Sequence, residues 1–247
     1  LNADTLTFGT GADSLSVTGG VTSSDITFGG SSYVTIGGNV TSTTLTGGTG
    51  PDTVLIGGAV DASTIAVTEG ANVLAFSGDV SSSSITSGSG ADSLSFVKSG
   101  GAIADSTINS GGGADTLNVN IQSLYDSTIT AGDGTDTLLV SGGITGSSVA
   151  LGEGTAYVSV GGQVLSSTMS SGTADDTLLF LGNVSESLIT VGDGANLIVG
   201  SNFADNATSG AGLYSSTVTS GSGNDSIVFW RGSFNSSVDS GSGNDSL

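Results

Sequence analysis

The group Gly-Xaa-Gly-Xaa-Asp returns along this chain as Gly9-Thr10-Gly11-Ala12-Asp13, Gly88-Ser89-Gly90-Ala91-Asp92, Gly132-Asp133-Gly134-Thr135-Asp136 and Gly221-Ser222-Gly223-Asn224-Asp225. Paired glycines permit the positive φ of a tight turn and let backbone carbonyls crowd one point, where the Asp adds a charged oxygen. Related turns hold Gly48, Gly50 and Asp52; Gly111, Gly113 and Asp115; and Gly241, Gly243 and Asp245. Asp4 and Asp176 are assigned to the same acidic slot. Ser32, Asn72, Ala156 and Asn196 stand in it elsewhere, and three of those four turns carry an earlier acid, Glu69, Glu153 or Asp193. Asp133 is a further acid between glycines.

With no His and no Cys in the chain, every candidate ligand is oxygen. That is hard-cation chemistry, which favours Ca²⁺ over Mg²⁺ and makes zinc, copper and iron poor candidates. Carboxylates one coil apart, at about 4.8 Å, repel by ~0.9 kcal/mol even in water, and a row of bound Ca²⁺ would reverse that sign. Acids in the two slots of neighbouring coils are expected to share sites, or acidic and neutral coils to alternate. The competing reading treats Asp and Asn as turn formers and ladder-makers, a role both residues take in any β-rich protein.

The elements that must position this row are legible from four apolar columns. The first runs Leu15, Val34, Val54, Leu74, Leu94 and on to Leu247, mostly in steps of 20; the second, two residues later, runs Val17, Ile36, Ile56, Phe76, Phe96. Such alternation is a strand with one buried face. Val21, Val40, Val60 and Val80 open the third column, and Ile26, Leu45, Ile65 and Ile85 the fourth. Each unit reads as strand, corner, short strand, Gly-rich turn. The fold class is therefore all-β, a parallel β-solenoid of right-handed β-helix or β-roll type with about 20 residues per coil, one domain over residues 1–247. Both ends fall inside a repeat, so a segment of a longer repetitive chain is expected.

Register separates two edges. From fourth-column residue to the next first-column residue the step is almost always nine, as in 45 to 54 and 85 to 94. Between second and third columns the length varies, with extra residues at Lys98 to Gly101, near Asn120, and from Ser201 to Ala211. Strict spacing at the Gly-rich edge is what a shared ion requires; a plain surface turn would tolerate insertion. Small hydroxyl residues two positions before the fourth column, such as Ser24, Thr43, Ser63 and Ser83, are expected to bond neighbouring backbone in a tight corner. Without a neighbouring His or Lys they have no base to activate them.

A formal charge of -20 with Lys98 and Arg231 as the only bases excludes a nucleic-acid partner and an anionic membrane surface. No apolar run reaches the length of a membrane span, so no membrane insertion is expected. The even spread of acids, with the two bases several coils apart, argues against an enzyme. Ice binding needs regular Thr or Asn rows, and the outward slots of the Gly-rich edge run irregularly through Thr10, Thr49, Glu69, Ser89, Asp133 and Glu153. Sequons at Asn39, Asn183, Asn206 and Asn235 are chance products of a Ser/Thr-rich chain. Phe203, Trp230 and Phe234 cluster near the long insertion as a candidate interface patch, with capping of the widened coil as the plainer role.

These turns resemble those of the repeats-in-toxin (RTX) proteins, whose Gly-Gly-Xaa-Gly-Xaa-Asp nonapeptides form calcium-binding parallel β-rolls in exported bacterial proteins. The resemblance implies Ca²⁺ held between turns by Asp13, Asp92, Asp136 and their equivalents, together with secretion. One Asp turn per 20 residues, where the usual roll has one every nine, implies a single row of ions on one edge. The expected role is structural and extracellular, in a bacterial surface layer, filament or adhesin shaft. Expected partners are further copies of the chain, with a cell-surface polysaccharide as another candidate.

Overall fold

Three strands build each coil. In one, Thr53–Ile56 is followed by Val60–Asp61 and Thr64–Ala66 before the Gly-rich turn. The computed structural model describes residues 1–201 and 211–247; Phe203, Asn206 and most of the long insertion lie outside the described residues. Every strand pairs in parallel with its counterpart one coil away. The long strands form a first sheet of 11 strands, the short strands after the first corner a second of 11, and the strands before the Gly-rich turn a third of 12. The molecule is thus an all-β solenoid of about 11 turns.

Register preserves the four apolar columns. Leu74 lies between Val54 and Leu94, and Phe76 pairs with Phe96 in the first sheet. Val60 pairs with Val80 in the second and Ile65 with Ile85 in the third. All are at most 1% exposed, a continuous apolar column enclosed by three sheets. Rings stack along it, Phe76 on Phe96 at 4.9 Å and Phe8 on Phe28 at 4.5 Å.

Where one short strand was expected after the first corner, the chain makes two. Between them sits a residue in the left-handed region, Ser42 (φ 50°), Ala62 (φ 47°) or Asp126 (φ 49°), which turns the chain by one corner of the triangle. That conformation costs a non-glycine residue about 1 kcal/mol. The hydroxyl column offsets it. Ser63 Oγ donates to Asp61 O at 2.7 Å and accepts the Thr43 N–H at 3.1 Å, and the pattern repeats at Ser83, Ser106, Ser127, Ser147 and Ser167. Each corner is tied to its own coil and to its neighbour, as expected of that column.

Insertions fall at the corner between the first and second sheets. There Lys98 pairs with Asp79, the Gly101 N–H donates to Lys98 O at 3.0 Å, and Asp79 Oδ1 accepts the Ala102 N–H at 3.0 Å. The Gly-rich edge has no such freedom because its turns stack backbone on backbone. Ser89 N–H donates to Thr68 O (2.8 Å), Gly112 N–H to Gly88 O (3.0 Å) and Gly90 N–H to Gly112 O (2.8 Å). A Cβ on Gly111 would collide with the Gly88 carbonyl oxygen, and one on Gly132 with that of Gly111. Close backbone stacking is sufficient cause for the strict spacing.

Two outward faces are regular. The third sheet presents paired ranks of small, mostly polar residues, Thr44 and Thr46, Thr64 and Ala66, Ser84 and Thr86, Thr107 and Asn109, Thr128 and Thr130. The Thr rows absent from the Gly-rich edge are on this sheet. The first sheet presents an uncharged, partly apolar face that includes Tyr33, Val73, Leu139, Tyr157 and Leu197.

Candidate functional site: the aspartate column

The carboxylates of the acidic slot point inward. Asp92, immediately before the strand Ser93–Val97, is spaced by two from Leu94 and Leu94 by two from Phe96, so all three line the same face, and Asp92 is 2% exposed beside a fully buried Leu94. Asp52, Asp115, Asp136, Asp176 and Asp225 are equally buried, whereas Asp13 and Asp245, in coils near the two ends, are partly exposed.

From Asp52 onward each Asp Oδ1 accepts the slot N–H of the preceding coil. Ser32 N–H donates to Asp52 Oδ1 (2.7 Å), Asn72 N–H to Asp92 Oδ1 (2.7 Å), Asp92 N–H to Asp115 Oδ1 (2.8 Å) and Asp115 N–H to Asp136 Oδ1 (2.9 Å). Ala156 N–H reaches Asp176 Oδ1 (2.8 Å), Asn196 N–H reaches Asp225 Oδ1 (2.8 Å) and Asp225 N–H reaches Asp245 Oδ1 (3.0 Å). Asn72 and Asn196 continue the series by accepting the N–H groups of Asp52 (2.8 Å) and Asp176 (3.0 Å). The Oδ2 atoms of Asp13, Asp52, Asp92, Asp115, Asp136, Asp176 and Asp225 are sealed from solvent without a hydrogen-bond partner.

Asn shows what that second branch faces. Asn72 Nδ2 donates to Ser87 O (2.8 Å) and Gly70 O (3.1 Å), and Asn196 Nδ2 to Gly192 O (2.9 Å) and Gly194 O (3.2 Å). At Asn the branch meets carbonyl acceptors; at Asp92, Asp115 and Asp176 the hydroxyls of Ser87, Ser110 and Ser171 also lie close to the carboxylate. Burial pushes the Asp92 and Asp136 carboxyls up to about 6, against partial relief from the N–H groups of Asn72 and Asp115. Asp115 adds its charge to both, and Asp133 adds to Asp136. Burial raises Asp52, Asp115 and Asp176 as well, opposed by the hydroxyls of Ser32, Ser110 and Ser171. The sequence reading missed Ser110 and Ser171, just before the turn glycines.

The outer acids form a separate, exposed ladder. Asp133 Oδ1 accepts the Glu153 N–H (3.0 Å), Glu153 Oε2 the Thr173 N–H and Oγ1–H (3.0 and 2.7 Å), and Asp193 Oδ1 the Ser222 N–H (2.7 Å). These bonds come from the following coil, those of the buried column from the preceding one. Glu69 is exposed and its backbone forms an isolated parallel bridge with Ser89 in the next turn. Inner and outer acids feel each other's charge, Asp133 acting on Asp136 and Glu153 on Asp176 one coil further on.

Asp4 does not belong to the slot. Thr5–Thr7 pairs with Asp25–Thr27 in the third sheet, so Leu6 is a fourth-column residue and Asp4 falls opposite Ser24 in the hydroxyl column. Its N–H donates to Ser24 Oγ (3.2 Å) and its Oδ2 accepts the Asn2 N–H (2.9 Å). Among the glycines, Gly88, Gly90, Gly111, Gly113, Gly132, Gly134, Gly223, Gly241 and Gly243 adopt positive φ, while Gly9, Gly11, Gly48, Gly50 and Gly221 do not. The carbonyls of Gly88 and Gly221 are taken by inter-coil N–H groups.

Calcium needs six to eight oxygens, usually several of them carboxylate. Here each buried carboxylate from Asp52 to Asp225 spends Oδ1 on a backbone N–H, and no group of three or more acids able to hold a metal occurs among the described residues. Neutral Asn fits the same cradle through its NH₂ group. The column as built is a hydrogen-bond ladder of the kind the competing reading expects.

No protein-family model and no curated protein matches the chain. Among solved structures it is similar to a TibC-catalysed, hyper-glycosylated fragment of TibA, with 98% of each chain covered, 18% identity and a TM-score of 0.38.

Proposed function

We propose that this chain is a non-catalytic shaft segment of an extracellular bacterial surface protein, whose product is length and stiffness. The observation that carries the reading is the coil-to-coil ladder: three sheets and a hydroxyl column keep register along the described stack, joined by an Asp/Asn column wherever Asp or Asn fills the slot. Twelve strands at the parallel-sheet spacing make a rod about 55 Å long. Chain entropy is spent on regular stacking, while the acids are distributed along the rod and engaged in the stack. A surface layer, a filament and an adhesin stalk are all uses of such a rod. Antibodies raised against residues 1–247 should label intact source cells; labelling only after permeabilisation contradicts the reading.

A second reading is supported by the third sheet. Its paired Thr and Ser ranks repeat at about 4.8 Å along the rod and about 6.6 Å across it, a periodic hydroxyl and methyl surface able to order water as an ice face does. Thermal hysteresis lost on Thr128→Tyr, with β-sheet circular dichroism retained, supports this reading; no hysteresis in the parent chain removes it.

A further inference from the structure

The first sheet has an outward face unlike the rest of the molecule. From Ser14 to Val228 it presents no charged side chain, in a chain whose formal charge is -20. Tyr33, Val73, Val97, Leu139, Tyr157 and Leu197 on this face make up half of the exposed large apolar side chains among the described residues. The acids of neighbouring segments lie beyond its edges, in the Gly-rich turn and at the second-sheet corners, as Asp133, Glu153, Asp105 and Asp126 do.

We propose that two copies of this chain pack through this face, related by a two-fold axis running along the rod. The inference rests on the shaft reading and names its partner. Within single strands a large residue sits two places from a small one: Thr53 and Leu55, Thr137 and Leu139, Tyr157 and Ser159, Thr177 and Leu179. A two-fold axis along the rod sets each strand against its own copy with the ranks exchanged. Leu139 then meets Thr137, Tyr157 meets Ser159 and Leu55 meets Thr53, so large packs against small along the face, as isologous contacts require.

Area and charge both favour a copy of the chain as the occupant. Eleven strands at about 4.8 Å, each presenting four to five residues at about 3.3 Å, give a footprint of roughly 700 Å² per copy, near the ~800 Å² of a stable interface. Two rods of like charge can touch there without placing acid against acid, and a cationic partner would find no carboxylate on it. Their remaining repulsion is screened by salt, so association strengthens as salt is added.

Sedimentation velocity of the 247-residue chain over a concentration series, at low and high salt, tests the proposal. A dimer favoured by high salt is expected. Leu139→Glu with Leu179→Glu places two pairs of acids in the interface and should weaken it by more than about a hundredfold, with unchanged circular dichroism because both side chains point outward. Leu188→Glu, on the third sheet, should leave it intact. In a mixture of Thr137→Cys and Leu139→Cys chains, a short bis-maleimide able to span the roughly 10 Å between packed sheets should cross-link the two, the parent having no cysteine. A monomer at every concentration in high salt overturns the proposal, as does a dimer indifferent to the Leu139 and Leu179 substitutions. Cell-surface labelling would survive that outcome, so the shaft reading and this interface fail separately.

Discussion

Asn72 and Asp92 occupy one column a coil apart, and the Asn72 N–H donates to Asp92 Oδ1 at 2.7 Å. Their second branches differ in one respect: Asn72 Nδ2 donates to two carbonyl oxygens, while Asp92 Oδ2 has no partner. A protonated Asp92 is the nearer match to Asn72. The column is therefore a hydrogen-bond ladder in which Asn is complete and ionised Asp is one donor short.

Stability should fall as pH rises through the carboxyl range. Asp92 and Asp136 have folded values near 6 against an unfolded value near 3.8, so folding favours their protonated form. Their contribution is whole below the unfolded value and lost as pH passes about 6. Asp79, lowered chiefly by its bond to Lys98, acts in the opposite sense. Urea unfolding from pH 3.5 to 8 should show the midpoint decreasing mainly between 4 and 7.

Replacing Asp92 or Asp136 by Asn keeps the Oδ1 acceptor and supplies the missing donor. At pH 8 each substitution should stabilise by about 1–3 kcal/mol, and the pair should flatten the pH profile. Alanine discards the acceptor too, leaves the preceding N–H unpaired and should not reproduce the gain. Chemical denaturation of both series checks this.

Ser106→Ala removes a hydroxyl that donates to Ala104 O at 2.6 Å and accepts the Ser83 N–H at 3.1 Å. The buried N–H is left without its partner, so a loss of about 1–2 kcal/mol is expected from denaturant midpoints. Threonine there should recover part of it, as Thr43 fills the same column.

Gly111→Ala drives a Cβ into the Gly88 carbonyl oxygen at a φ of 94°. No flexible side chain can yield, so the turn must unstack, with an expected loss of over about 3 kcal/mol. Gly112→Ala, with nearby space open, should cost far less. Paired thermal melts separate them.

The coil length, the four core columns and the edge that takes insertions were legible because each is a repeat of residue type at fixed spacing. The extra corner was hidden: Ser42, Ala62 and Asp126 share no chemistry, only a left-handed backbone. Asp4 was misplaced because an acid four residues from the start looks like any other until strand pairing fixes Leu6 against Ile26. The direction of the acids was available in the two-residue spacing of Asp92, Leu94 and Phe96, which places the carboxylate on the core side. Charge suggested a ligand at the surface; strand alternation places most of these carboxylates inside the stack.

The most direct test of this ladder is thermal unfolding at pH 8 of the parent chain and of the Asp92→Asn, Asp115→Asn, Asp136→Asn triple variant, each in calcium and in chelator. A parent melt indifferent to calcium, with the triple variant folded and melting higher, is the predicted result. Loss of β signal from the parent on chelation, or a triple variant that no longer folds, would contradict it.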